Sequence, residues 1–147
     1  MLDLLLADGV FVDQATYARR VGIQQAAHQR QGGDALLAVE AALTPGNIVG
    51  DAFKAHADVI DDAGMQAHRL NACGYSLGTT FAPNWMDWPM IYADNPVIVE
   101  SGMIYFCHMI IFDSDQQLAM CLGETVLTTD GAPERLSRLP LELPHIP

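Results

Sequence analysis

The sequence predicts an α+β fold in which two helices precede an antiparallel sheet. Helical apolar spacing covers the first half of the chain, up to about residue 63. The second half contains the apolar run Ile104–Phe112, which we interpret as a strand buried on both faces. Turn signals then divide the remaining residues into short segments typical of strands. Because the helices and strands are segregated along the chain, the pattern indicates an α+β architecture.

The first helix is predicted from Gln14 to Leu43. Asp13 is a suitable N-cap residue, and Thr44–Gly46 contains the proline and glycine that end a helix. The preceding residues Val10–Val12 are strand-like. Gly32 and Gly33 lie in the polar middle of this stretch, so a break there and one continuous helix both remain open.

A second helix is predicted from Ile48 to Ala63. Its expected apolar face has helical spacing and consists of Ile48, Ala52, Ala55 and Val59. Gly64 follows at the position where helices commonly end. Three acidic residues, Asp58, Asp61 and Asp62, are interpreted as a solvated face rather than a metal site.

The second half is predicted to form a sheet that packs under the second helix. The segment His68–Pro96 is rich in Gly, Pro, Trp and Asn, which favours turns and short strands. We expect Ile104–Phe112, Leu118–Leu122 and Glu124–Thr129 to be neighbouring antiparallel strands. Residues 1–138 then make one domain, and Leu139–Pro147 makes an extended C-terminal arm.

Size and charge exclude several function classes. The 147 residues suit one compact domain, and the net charge is −11. Lys54 is the only lysine, so we expect no binding to nucleic acid, whose phosphates need cationic partners. The same charge argues against a membrane partner, and no apolar run reaches the roughly 20 residues of a membrane span.

The expected location is cytoplasmic. The segment Met1–Asp8 lacks the basic region of a signal peptide. The three cysteines, Cys73, Cys107 and Cys121, have neither paired spacing nor polar surroundings, so they are interpreted as buried thiols in a reducing compartment.

Three motifs follow one another in a characteristic order. They are Gly-Tyr-Ser-Leu-Gly with the following Pro-Asn-Trp in 74–85, Val-Glu-Ser-Gly-Met in 99–103, and Gly-Glu-Thr-Val-Leu-Thr-Thr-Asp-Gly in 123–131. In order and spacing, Leu43–Leu136 resembles the C-terminal half of the creatinase/aminopeptidase P family. Its motif style is closest to ectoine hydrolase-like and Xaa-Pro peptidase-like members.

The resemblance implies a truncated pita-bread fold, with two helices packed on a curved antiparallel sheet. It also implies a hydrolase that cleaves a C–N bond in a small amide, a dipeptide or an ectoine-like compound. The expected substrate is therefore a small molecule or a peptide. The fold hosts several chemistries, so a lyase relative, such as a dimethylsulfoniopropionate lyase, is an alternative.

The resemblance also implies a degenerate metal site. Peptidase members of the family bind two divalent ions, such as Mn, Fe, Co or Zn, through two Asp, one His and two Glu. Here the histidine position falls on Tyr75, one glutamate position on or beside His108, and the other on Gly123 or Glu124. The upstream aspartates, Asp3, Asp8 and Asp13, do not match the family pattern. We therefore expect no metal cofactor.

Metal-free chemistry would require a base and an orienting group. The candidates are His68 or His108 as general base, Glu124 as the orienting carboxylate and Tyr75 as an electrostatic helper. Each has a structural alternative: His68 as a surface loop residue, Tyr75 and His108 as satisfied core residues, and Glu124 as a solvated strand-edge residue.

Trp85, Asp87 and Trp88 are candidate substrate-binding residues. The two indole rings could enclose a small zwitterion or cation through their faces. They could equally form a subunit contact.

A non-catalytic remnant that only dimerises or binds a ligand is the competing interpretation. The apolar composition, with a mean hydropathy of +0.16, leads us to expect a homodimer or a complex with a separately encoded N-terminal portion. The expected contacts are Trp85–Trp88 and the tail from Leu139.

Overall fold

The computed structural model describes residues 3–5, 11–78 and 86–141, with side chains from residue 22 onward. The elements in chain order are β1 (Asp3–Leu5), β2 (Phe11–Asp13), α1 (Gln14–Ala42), α2 (Val49–Asp62), a short 3-10 helix (Gln66–His68), β3 (Ala72–Ser76), β4 (Asp87–Tyr92), β5 (Ile104–Asp113), β6 (Leu118–Leu127) and β7 (Glu134–Arg135). Strands β1 and β2 pair with each other. The predicted C-terminal arm lies mostly in residues 142–147, outside the described residues.

The other five strands form an antiparallel sheet in the order β4-β3-β5-β6-β7. Helix α1 packs on β5 and β6, and α2 packs beside α1 on β4 and β3. The predicted α+β class is thus confirmed. The prediction that the long strands lie under the second helix is wrong, because the longer first helix covers them.

Helix α1 is continuous through Gly32 and Gly33. A side chain at Gly32 would collide with Met120 of β6, whereas one at Gly33 would meet no atom within 4 Å among the described residues. Gly32 therefore allows the helix to lie close to the sheet, and it does not break the helix.

Helix α2 begins one residue later than predicted and buries a different stripe. Its N-terminus is capped by Asp51, whose Oδ2 accepts the N–H of Ile48 at 3.2 Å. The buried positions are Val49, Gly50, Ala52, Phe53, His56 and Ile60. The buried face is therefore rotated by about one residue from the predicted one and includes a histidine. Among the predicted solvated aspartates, Asp61 instead makes an ion pair with Arg69 at 2.7 Å.

Strands β5 and β6 form a hairpin that is paired without interruption from Ile104–Leu127 to Asp113–Leu118. The two predicted strands on either side of Gly123 are one strand, because Gly123 stays in register opposite His108. Burial alternates along β5, and Phe112 is 53% exposed, so the expectation of two buried faces is wrong.

The core lies between the helices and one face of the sheet. Its largest fully buried apolar side chains are Tyr105, Leu36, Leu43, Ile60, Ile91, Met109 and Ile111. Arg135 of β7 makes a bidentate ion pair with Glu40 of α1, with Nη2 2.7 Å from Oε2. This pair ties the edge of the sheet to the helix layer. No helix within the described residues is long and apolar enough to cross a membrane.

Candidate functional site

The two faces of the sheet differ in their side chains. One face, the helix face, carries the buried residues of β5 and packs against α1. The other, which we call the open face, carries the alternate residues of each strand, because neighbouring side chains of a strand point to opposite sides. By register and burial it includes Trp88, Met90, Tyr75, Phe106, His108, Cys121 and Gly123.

An aromatic row crosses the open face. The Tyr75 and Phe106 ring centroids are 5.5 Å apart, and those of Phe106 and His108 are 5.0 Å apart. Both pairs are tilted, as aromatic contacts prefer. Two of the predicted catalytic residues, Tyr75 and His108, therefore lie on one face of the sheet with Phe106 between them.

His108 contacts a cysteine on the neighbouring strand. Its Nε2 lies 2.8 Å from the Sγ of Cys121. Partial burial lowers the pKa of His108 and raises the pKa of Cys121. At neutral pH the imidazole is therefore uncharged and the thiol is protonated. The pair can accept a proton at His108, but it does not supply a thiolate nucleophile.

The prediction that all three thiols are buried is wrong for Cys121. Cys121 is exposed, whereas Cys73 and Cys107 are buried. Burial, the largest cause in each case, raises the pKa of both buried thiols.

Glu124 does not join His108. It pairs with Cys107 across the hairpin and lies on the helix face, where it is 3% exposed. Its Oε1 accepts the N–H of Thr125 at 2.8 Å and the N–H of Ser137 at 3.2 Å. Glu124 is therefore neither the orienting carboxylate of the open face nor a solvated edge residue. It binds the backbone that leads out of β7.

The open face does not fit the two-metal centre that the resemblance implies for peptidase members. Gly123, opposite His108, has no side chain, and a Cβ built there would lie 2.5 Å from the ring of Phe106. Tyr75, on which the resemblance places the histidine ligand, carries a phenol instead of an imidazole. Among the residues whose side chains are described, this leaves too few ligands on the open face for two ions.

His68 lies elsewhere. Its Nδ1 is 3.0 Å from the carbonyl oxygen of Phe112, and its Nε2 is 4.0 Å from Oδ1 of Asp113. Phe112 is four residues beyond His108, which corresponds to about 13 Å along a strand. The two histidines proposed as alternative bases therefore belong to different places on the protein.

The candidate binding residues Asp87 and Trp88 are at the outer strand β4. Asp87 accepts the N–H of Trp88 through its own Oδ1 at 3.0 Å. Trp88 is 63% exposed, and its ring lies 6.2 Å from that of Tyr92. Trp85 lies outside the described residues. Trp88 thus provides an exposed aromatic surface at the end of the open face.

A polar cluster that no sequence motif indicates surrounds Asp113. Asp113 is buried, and its Oδ2 lies 3.2 Å from Nε2 of His28 in α1. His68, Asp113 and Asp115 offer ligand atoms that all lie within 4.8 Å of one another. Only the fold brings these positions together, because His28 and Asp113 are 85 residues apart in the sequence. In the sequence, only the turn after β5 indicated locally that polar side chains lie here.

The sequence matches no protein-family model and no curated protein, whereas its fold matches solved structures. Dipeptidase PepE from Mycobacterium ulcerans matches with a TM-score of 0.73 and 22% identity, over 80% of this chain and 30% of that one. Prolidase from Pyrococcus furiosus matches with a TM-score of 0.71 and 18% identity, over 80% of this chain and 33% of that one.

A third similar structure is not named as a peptidase. The N-terminal domain of the FACT complex subunit SPT16 from Cicer arietinum matches with a TM-score of 0.64 and 21% identity, over 77% of this chain and 28% of that one. The chain therefore spans about a third of the length of the solved structures that it matches. Two helices on a five-stranded antiparallel sheet and these matches together show that the chain has the pita-bread fold of the Xaa-Pro peptidases.

Proposed function

We propose that the chain is a peptidase-like hydrolase that binds a small amide or dipeptide on the open face and cleaves its C–N bond without a metal cofactor. The observation that carries the proposal is the position of Tyr75 and His108 on one face, on either side of Phe106. The fold shared with dipeptidases and prolidases supports the substrate class.

His108 has the properties of a general base. Its lowered pKa keeps the imidazole neutral at pH 7, and with Nε2–H donating to the Sγ of Cys121, Nδ1 can accept a proton from a water molecule that attacks the amide carbon. The phenol hydroxyl of Tyr75 would donate a hydrogen bond to the carbonyl oxygen, on which negative charge develops during attack. His108, then protonated, would return the proton to the leaving nitrogen.

Trp88 would hold the substrate at the outer end of the face. Its exposed ring can stack on a proline ring or on the cationic amine of a dipeptide. In this arrangement Glu124 has only a structural role, because it lies on the helix face.

A panel of Xaa-Pro dipeptides and small amides tests the proposal, with release of the free amine followed by chromatography. We expect turnover by the wild-type chain and at least a hundredfold loss in His108→Ala. Tyr75→Phe should lose about ten- to hundredfold, because one hydrogen bond to the transition state is removed. Tyr92→Phe removes a hydroxyl from the neighbouring strand β4 and should retain full activity. Equal rates for His108→Ala and the wild type would contradict the proposed role.

A non-catalytic ligand-binding domain is the second candidate. It is favoured by the ring of Phe106, which fills the space over Gly123, and by the protonated thiol beside His108. The match to a domain of a FACT complex subunit supports a role of this fold in an assembly. Saturable binding of a dipeptide by calorimetry, with no amine released, would favour this candidate over hydrolysis.

A further inference from the structure

The cluster of His68, Asp113 and Asp115 lies away from the open face and is not used in the proposed reaction. His68 belongs to the 3-10 helix, Asp113 ends β5, and Asp115 lies in the turn that leads to β6. His28 of α1 contacts the same aspartate. Three separate parts of the chain therefore meet at one carboxylate.

The hydrogen bond of His68 determines which ring nitrogen is available. Nδ1 lies 3.0 Å from the carbonyl oxygen of Phe112, and a carbonyl oxygen can only accept. Nδ1 therefore carries the proton, and in the neutral ring Nε2 has a free lone pair. A backbone carbonyl that orients the ring in this way is the usual outer partner of a metal-binding histidine.

The lone pair of His68 faces a carboxylate rather than a donor. Nε2 is 4.0 Å from Oδ1 of Asp113, which is too long for a hydrogen bond. Two acceptors that face each other leave room for a shared cation between them, and zinc, which binds nitrogen and carboxylate oxygen at about 2.0–2.2 Å, would draw them closer by about half an ångström. The carboxylate of Asp115 completes a set whose ligand atoms all lie within 4.8 Å of one another.

The buried aspartate is held in place by other groups. Its Oδ2 lies 3.2 Å from Nε2 of His28, and its Oδ1 accepts the N–H of Gln116 at 3.0 Å. Asp113 is 6% exposed and His28 is 5% exposed. These contacts fix the orientation of the carboxylate before any ion binds, which lowers the entropic cost of binding.

We infer that His68, Asp113 and Asp115 form a binding site for one divalent transition-metal ion such as Zn²⁺, with His28 positioning Asp113. Three protein ligands leave one coordination position for water on the exposed side of Asp115. The bound ion would connect the 3-10 helix to the β5–β6 turn. The sequence predicts that the whole chain binds no metal, because the ligand positions implied by the resemblance are lost. The cluster of His68, Asp113 and Asp115 lies outside those positions, and one equivalent of zinc would overturn that prediction.

Zinc titration of the chelator-treated full chain tests this site, with stoichiometry from elemental analysis after dialysis. We expect one equivalent of zinc and a rise in thermal midpoint on binding, since the ion binds the folded state. His68→Ala and Asp115→Asn should bind at least tenfold more weakly. Both side chains are outside the core, so these variants should fold, unlike substitutions at buried Asp113.

Two control variants separate this site from other sources of zinc binding. Asp62→Asn removes one exposed aspartate from α2 and should bind like the wild type. His108→Ala removes the histidine that contacts Cys121 and should also bind like the wild type. Cobalt in place of zinc provides a second readout, because a cobalt–thiolate band in the near ultraviolet would reveal binding at Cys121.

Three results would overturn the inference: no stoichiometric binding by the wild type, undiminished binding by His68→Ala, or loss of binding in His108→Ala together with a thiolate band.

Discussion

His56 makes the stability of the fold depend on pH. It lies on the buried face of α2, is 1% exposed, and neither ring nitrogen has a hydrogen-bond partner among the described residues. The pKa of His56 is lowered from 6.5 to about 4, chiefly by burial and also by the nearby charge of Arg69, whereas Asp61 opposes this shift. His56 is therefore protonated more easily in the unfolded chain than in the folded one. A pH low enough to protonate it favours unfolding.

The sign and size follow from linkage. The folded state binds fewer protons than the unfolded state between pH 6.5 and 4, so the free energy of unfolding falls as the pH drops through this window. Lowering the pKa of His56 by this amount corresponds to about 3 kcal/mol in total, and most of it, about 2 kcal/mol, is lost between pH 7 and pH 4.5. The loss caused by this residue levels off below about pH 4, where the folded-state imidazole also becomes protonated.

Urea unfolding of the wild type and His56→Leu at pH 7 and pH 4.5 tests the prediction. The leucine variant should lack about 2 kcal/mol of the acid destabilisation. At pH 7 it should be as stable as the wild type or more so, because it removes a buried polar group that has no partner. The pKa of His108 is also lowered by burial, so His108→Gln serves as the comparison and should retain most of the pH dependence. Identical pH dependence in the wild type and His56→Leu would refute the reasoning.

Four further outcomes are expected. Glu40→Gln should lower the free energy of unfolding in urea by about 1–2 kcal/mol, because it breaks a partly buried bidentate pair with Arg135; no loss would make the pair irrelevant to stability. Leu36→Ala, which opens a cavity at a 0% exposed position, should cost about 2–5 kcal/mol by the same method. Gly123→Ala should reduce the thermal midpoint in calorimetry, because the new methyl group would displace the ring of Phe106, and an unchanged midpoint would contradict this contact. Light scattering at 0.15 M salt should give a homodimer of about 32 kDa, twice the 16.0 kDa chain, and a 16 kDa species would exclude it.

The fold class was predictable because its signals are local. The periodicity of the helices and the turn after Ile104–Phe112 depend on residues close together in the sequence. The rotation of the buried face of α2 was not predictable in the same way. A histidine is normally assigned to a polar face, and only the packed structure shows that His56 occupies the apolar one.

The site was less predictable because it depends on which face of a strand a residue occupies. A shift of one residue moves a side chain to the opposite face of the sheet. The motif left Gly123 and Glu124 as alternatives for one position, and the register across from His108 distinguishes them. The uninterrupted pairing of β5 and β6 decides that Gly123 shares a face with His108, and it thereby removes Glu124 from the catalytic group.

The same alternation separates the two proposed activities of the chain. His108 projects from the open face at the middle of β5, whereas Asp113 lies on the helix face at the end of the same strand. A substitution of His108 should therefore abolish hydrolysis and leave zinc binding intact. A substitution of His68 should weaken zinc binding and leave hydrolysis intact. If both variants lost both properties, the two groups would be coupled through the hairpin. The continuous ten-residue pairing of β5 with β6 argues against such coupling, because it holds the two groups on opposite faces of one strand.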